Sequence, residues 1–169
     1  MTQNHQPVYL EPTQAAGAAF FSNPPQGPLV MLNLLRFKEV ADYSAHPQIA
    51  PEQPISGAEA FQRYIDFTLP FLHASGGAIE FLGRGGNFLI GPAEETWDLV
   101  MLIRQASAQE FLAFASNPEY LVGLGHRSAA LEDSRLLPTQ AIRRLVSRSA
   151  DSFTPLPFSP GDGRSDAST

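Results

Sequence analysis

The chain has 169 residues, with 11 Lys and Arg against 17 Asp and Glu and no cysteine. That length suits one domain with a buried core. The acidic balance leaves no basic surface for nucleic acid, and the missing thiols exclude disulfides, zinc ribbons, iron–sulfur clusters and a cysteine nucleophile.

In chain order, residues 1–27 read as an N-terminal extension carrying a short Ala-rich helix from Pro12 to Ser22. Its polar opening, MTQNHQPVYLEPTQ, lacks the basic-then-apolar form of a signal peptide, and no later stretch approaches the ~20 apolar residues of a membrane span. A cytoplasmic protein with no membrane partner is therefore expected. Residues 28–146 carry the core. LVMLNLLRF, Leu29 to Phe37, is the strongest strand. A Pro-rich stretch, Ser44 to Pro54, leads to Ser56-Gly57-Ala58-Glu59, an S-x-x-E capping signature. The helix behind it carries Phe61, Tyr64, Ile65, Thr68, Leu69 and Leu72 at helical spacing. Pro70 is expected to kink this helix, and Gly76-Gly77 to stop it.

Ala78 to Arg84 and Asn87 to Ile90 read as strand on either side of a Gly85-Gly86 break. A further strand is expected from Trp97 to Arg104. Ser107-Ala108-Gln109-Glu110 repeats the capping signature, and the second helix runs from Ala108 to about Ala115. It restarts at Asn117-Pro118 and continues towards Leu131. A last strand covers Ser134 to Thr139, with Gln140 to Val146 as an extension. Residues 147–169, rich in Ser, Pro, Gly and Asp, are expected to be a flexible tail. The order β-α-β-β-α-β predicts the ferredoxin-like α+β plait, a four-stranded antiparallel sheet with both helices on one face.

One face of that sheet is left to explain. Val30, Leu32, Leu34 and Arg36 share one side of the first strand; Leu29, Met31, Asn33, Leu35 and Phe37 share the other. In the third strand the alternation groups Trp97 with Leu99, Met101 and Ile103. Both sides are largely apolar, whereas an antiparallel sheet with one open face alternates polar residues outward. Charged residues are sparse at 17%, against roughly 25% in an average domain. A homodimer that buries the second face is the simplest solution.

The segments GPLVMLNLLRF, SGAEAFQRY, GGAIEFLGRG, LIGPAEETWDLV and NPEYLVGLGHRSAALEDSRLL resemble the dimeric α+β barrel superfamily, and within it the domain-of-unknown-function family 1330. The likeness runs from about Val8 to Thr139. It implies the same plait, paired sheet to sheet around a small-molecule cavity. The family is largely without an assigned reaction. Superfamily members catalyse cofactor-free oxygenation, isomerisation or polyketide cyclisation, and some bind haem, so the resemblance leaves the chemistry open.

Several side chains are candidates for that chemistry. Asn33, the polar residue on an apolar strand face, can orient a carbonyl or hydroxyl. His126 is a candidate general base, Asp133 a group to set its tautomer, and Arg127 a partner for an anionic oxygen. Helical spacing places Arg127 with Tyr120 and Leu124, and His126 with Val122 and Ala129, so the two project apart. Arg84, among glycines, could pair with a carboxylate. Trp97 and Tyr64 could stack on an aromatic substrate, although core packing is the commoner use of such residues. His73 suits the dipole at a helix end, and His5 and His46 lie in irregular stretches. No His and carboxylate spacing suggests a metal site. Haem would require His73 or His126 as axial ligand, so no cofactor is expected.

These observations lead to a homodimeric protein that binds a small, largely apolar oxygenated molecule. Cofactor-independent isomerase or cyclase activity is its enzymatic form, with Asn33 orienting substrate, His126 moving a proton, and Arg84 or Arg127 steadying an enolate-like oxygen. A non-catalytic binding or dimerisation module and a cofactor-free monooxygenase are the alternatives. Whether His126 or Asp133 reaches the apolar pocket separates enzyme from binder.

Overall fold

The computed structural model describes residues 7–142; the tail expected at 147–169 lies outside them, as do His5 and residues 143–146. Ser56 and Glu59 start the first long helix as the spacing predicts. The Ser56 hydroxyl accepts from the Glu59 N–H at 3.2 Å, and the Glu59 carboxylate accepts from the Ser56 N–H at 2.8 Å. This capping box satisfies donors that a helix start leaves unpaired. The elements are α1 (Gln14–Ser22), β1 (Leu29–Phe37), α2 (Gly57–Ala74), β2 (Ala78–Arg84), β3 (Leu99–Gln105), α3 (Ala108–Ala115), α4 (Pro118–Leu121), α5 (Leu124–Ala130) and β4 (Leu131–Thr139). A short 3-10 turn, Pro47–Ile49, sits in the Pro-rich stretch.

All neighbouring strands pair antiparallel, in the order β2-β3-β1-β4. This is the ferredoxin-like α+β plait. Leu35 and Met101 pack beneath Ala60, Phe61 and Ile65 of α2 in the main core. A second cluster joins Leu29, Met31 and Ala108, with Phe20 and Phe111 packed against it, and so docks α1 onto α3. Odd-numbered positions of β1 therefore face the helices, and the register carries Met101, Ile103 and Gln105 of β3 with them. The opposite face bears Val30, Leu32 and Leu34, with Val100 and Leu102 across the ladder. Phe81 and Leu137 lie on the same face, 50% and 56% exposed. Among the described residues no element covers it.

α2 runs through Pro70, where the kink is expected, to Ala74. Pro70 is exposed, so water can serve the Asp66 carbonyl that the proline leaves without a donor. The stop at Gly76 is as expected, with φ at +74°, a conformation that favours glycine. Asn87 to Ile90 is not a strand. Asn87 makes a single bridge to Thr96, its amide donates to Ala93 O, and Leu89 and Ile90 are 100% and 92% exposed.

The second helical region divides into three. Gly123 separates α4 from α5 where the chain presses on the Phe67 ring, and a Cβ there would collide with that ring. β4 begins at Leu131, three residues before the expected start, because Leu131 pairs with Phe37 across a bulge and is fully buried. β3 begins at Leu99, so Trp97 precedes the strand and does not follow its alternation. Asp98 turns the chain there, its carboxylate accepting from the Phe37 N–H at 2.7 Å. The Trp97 ring lies by the guanidinium groups of Arg135 and Arg36, at 5.0 and 5.7 Å, with the side chains of the open face.

Candidate functional site

Between the sheet and the helices lies a cavity of about 600 Å³. Met31, Leu35 and Met101 line it from the sheet, and Phe61, Ile65 and Leu72 from α2. The N-terminal segment from Leu10 to Thr13 and residues of α3 and α5 complete the wall. That segment is strapped to the edge strand β4. Tyr9 N–H donates to the Asp133 carboxylate at 2.8 Å, Ser134 N–H donates to Tyr9 O at 2.9 Å, and Arg127 Nη1 donates to Leu10 O at 2.7 Å.

Three of the seven sequence-derived candidates line this cavity: Asn33, Tyr64 and Arg127. Asn33 donates from Nδ2 to Met31 O at 3.0 Å. The Tyr64 hydroxyl lies 2.8 Å from that of Tyr120. Burial holds the Tyr120 hydroxyl far above its ordinary pKa, and Tyr64 beside it pushes the same way. Arg127 shares the cavity with Tyr120 and Leu124, as their spacing predicts.

His126, Asp133, Trp97 and Arg84 are not in the cavity wall. His126 turns the other way, with Nδ1 2.8 Å from the Tyr43 hydroxyl. Burial lowers its pKa, and the Arg63 charge adds to the effect. Asp133 does not serve His126. Its buried carboxylate accepts from the N–H groups of Tyr9 and Ser134 and from Arg135 Nη1 at 2.8 Å, with Arg36 Nη2 at 3.5 Å. Burial alone would raise its pKa, but the bonds from Tyr9, Arg135 and Ser134 outweigh burial and leave it lowered. Arg84 is exposed at the end of β2 and edges a separate surface groove with Leu82 and Asp98.

Gln105 and Thr68 line the cavity too, and neither appears among the sequence-derived candidates. Thr68 lies on the apolar stripe of α2. Gln105 is one step beyond the row Leu99, Met101, Ile103, and extending that alternation past Arg104 finds it. Among the described residues no group of three His, Cys, Asp or Glu side chains could hold a metal ion, and no helix is long and apolar enough to cross a membrane. The cavity can enclose an apolar molecule and offer it amide and hydroxyl groups.

Two crystal structures of RPA0582, a protein of unknown function from Rhodopseudomonas palustris, resemble the chain. The methylated form is 33% identical, with a TM-score of 0.72, over 80% of this chain and 96% of that one. The other is 32% identical, with a TM-score of 0.71, over 82% and 100%. A dimeric protein of unknown function and ferredoxin-like fold from Bacteroides fragilis is 11% identical over 68% and 96%, with a TM-score of 0.41. No family model matches the chain, and no curated protein does.

Proposed function

The chain belongs to the family of the Rhodopseudomonas palustris protein RPA0582, itself of unknown function, and from that premise we propose a function argued from the site: a homodimeric protein that binds a small, largely apolar molecule between sheet and helices. On the segments quoted above, we read the family as domain-of-unknown-function family 1330. The cavity carries the proposal. Its volume of about 600 Å³ lies within the ~300–1,000 Å³ of small-molecule sites, and apolar walls with a few polar groups are their usual make-up.

Binding is favoured over catalysis by the direction of His126. Proton transfer requires a base within hydrogen-bond reach of the substrate. The hydroxyl pair in the wall is Tyr64 with Tyr120, and burial keeps Tyr120 protonated, so Tyr120 supplies a hydrogen bond and does not remove a proton. Asn33 and Arg127 would orient the ligand. The second copy accounts for the open sheet face, because an apolar surface of that extent is uncommon on a monomer and a two-fold contact closes it.

A titration with naphthalene, followed by the rise in Tm, tests the binding reading. At a hundredfold excess over Kd a ligand specific to the folded state adds about 2.7 kcal/mol, several degrees for a domain of this size. Leu69→Trp, which fills the cavity from α2, should abolish the rise. An equal rise in that variant, or none in the wild type, would count against a ligand in this cavity.

A further inference from the structure

Two buried side-chain oxygens among the described residues have no hydrogen-bond partner within the protein, Gln105 Oε1 and Thr68 Oγ1. The residues are 2% and 8% exposed, and both line the cavity. They stand on opposite walls near one end of it. Thr68 is one helical turn before Leu72 on α2. A Cβ on Gly77 would meet both the Leu72 side chain and the carbonyl of Arg104, the residue that precedes Gln105 on β3. Buried polar groups are nearly always paired, and leaving one unpaired is destabilising. Both residues line one cavity, and a bound molecule that reaches these oxygens would supply the partners.

Charge narrows the class of molecule. The charged lining side chains, Glu11 and Arg127, gather at the strap, where Arg127 bonds Leu10 O and approaches Ser134. Ser134 pairs with Leu35 and Gln105 with Leu29, a separation of roughly 20 Å along β1 at the usual strand rise. A carboxylate or phosphate at the Gln105 end would be buried with no cation beside it, and an ammonium would find no countercharge there. A hydroxyl fits, since it donates to Gln105 Oε1 while its own oxygen accepts from Thr68.

Resting on the binding reading above, we infer that the cavity selects a neutral, mostly apolar molecule bearing a hydroxyl, and that Gln105 and Thr68 are the residues that select it. Sites built to pair a hydroxyl reject the analogue that lacks one far more strongly than apolar pockets distinguish size.

The test compares three probes on one scaffold, 2-naphthol, naphthalene and 2-naphthoate, by calorimetry on the full chain, with Thr68→Val and Gln105→Met beside the wild type. The expected result is that 2-naphthol binds the wild type at least tenfold more tightly than the other two. Both variants should bind naphthalene as the wild type does and lose the preference. Without ligand they should melt no lower than the wild type, because each removes an unpaired buried oxygen; a purely structural role would lower the Tm. Equal binding of 2-naphthol and naphthalene overturns the selection while leaving the binding reading intact. Tightest binding of 2-naphthoate overturns the neutral class. Binding of none of the three overturns selection and binding together. Should one variant fail to fold, the other and the wild-type ranking decide.

Discussion

The Tyr43 hydroxyl lies 2.8 Å from Nδ1 of His126, and the two rings meet edge to face with centroids 5.6 Å apart. The contact ties the segment after β1 to α5. The 3-10 turn presses on the same helix, so that a Cβ on Gly125 would strike Ile49 and His46. A histidine held this way fastens the loop and is turned away from the cavity.

Acid should loosen that fastening. Burial, then Arg63, lowers the folded-state pKa of His126 below 6.5, so the unfolded chain takes up the proton first and stability falls as pH drops below about 6.5. Thermal melts at pH 7.5 and 5.5 should show a larger loss in the wild type than in His126→Gln, with naphthalene affinity alike in both. Equal losses would show that another group carries the acid sensitivity.

Asp133 should behave as a structural clasp. Its lowered carboxyl pKa means that its contribution is present above the ordinary value of 3.8 and lost as pH falls through the folded-state value. Asp133→Asn removes a buried charge that two arginines and two backbone N–H groups share, and is expected to cost about 2–4 kcal/mol in urea unfolding. A cost below about 0.5 kcal/mol would show the cluster to be incidental.

The two faces of β3 should respond differently to charge. Leu102→Lys places an ammonium on the open face and should yield a folded monomer in sedimentation at micromolar concentration. Met101→Lys buries the same charge in the helix-facing core, where Met101 packs with Phe61, and should fail to fold. A wild-type chain that sediments as a soluble monomer would remove the homodimer.

Freeing the strap should open the cavity. Arg127→Met leaves the Leu10 carbonyl without its donor, at an expected cost of about 1–2 kcal/mol, and should speed both naphthalene dissociation and proteolytic cleavage between Val8 and Thr13. Unchanged dissociation would mean that ligand leaves by another route.

Local signals were the readable ones. The Ser56–Glu59 box, the first strand from Leu29 to Phe37 and the grouping of Arg127 with Tyr120 and Leu124 depend on residues within a turn or two of each other, and all stand as their spacing predicts. Contacts across the fold were hidden. Trp97 leaves its row because Asp98 is engaged with Phe37, far away in sequence. Asp133 resembles a catalytic partner for His126 until Tyr9, Arg135 and Arg36 occupy it. Gln105 was missed at a strand boundary, where alternation is weakest as evidence, and the strap depends on a pairing between Tyr9 and Ser134 that no local pattern announces.

Trp97 is the chain's single tryptophan, and its place beside Arg135 and Arg36 makes it a selective optical probe. The ring is outside the cavity wall, so filling the cavity should leave its emission nearly constant. In the proposed homodimer, closing or parting the open sheet faces would change the solvation of those two guanidinium groups, and the emission should move with it. Fluorescence on the unlabelled protein would then follow assembly while calorimetry follows occupancy, giving the two equilibria separate signals in one sample.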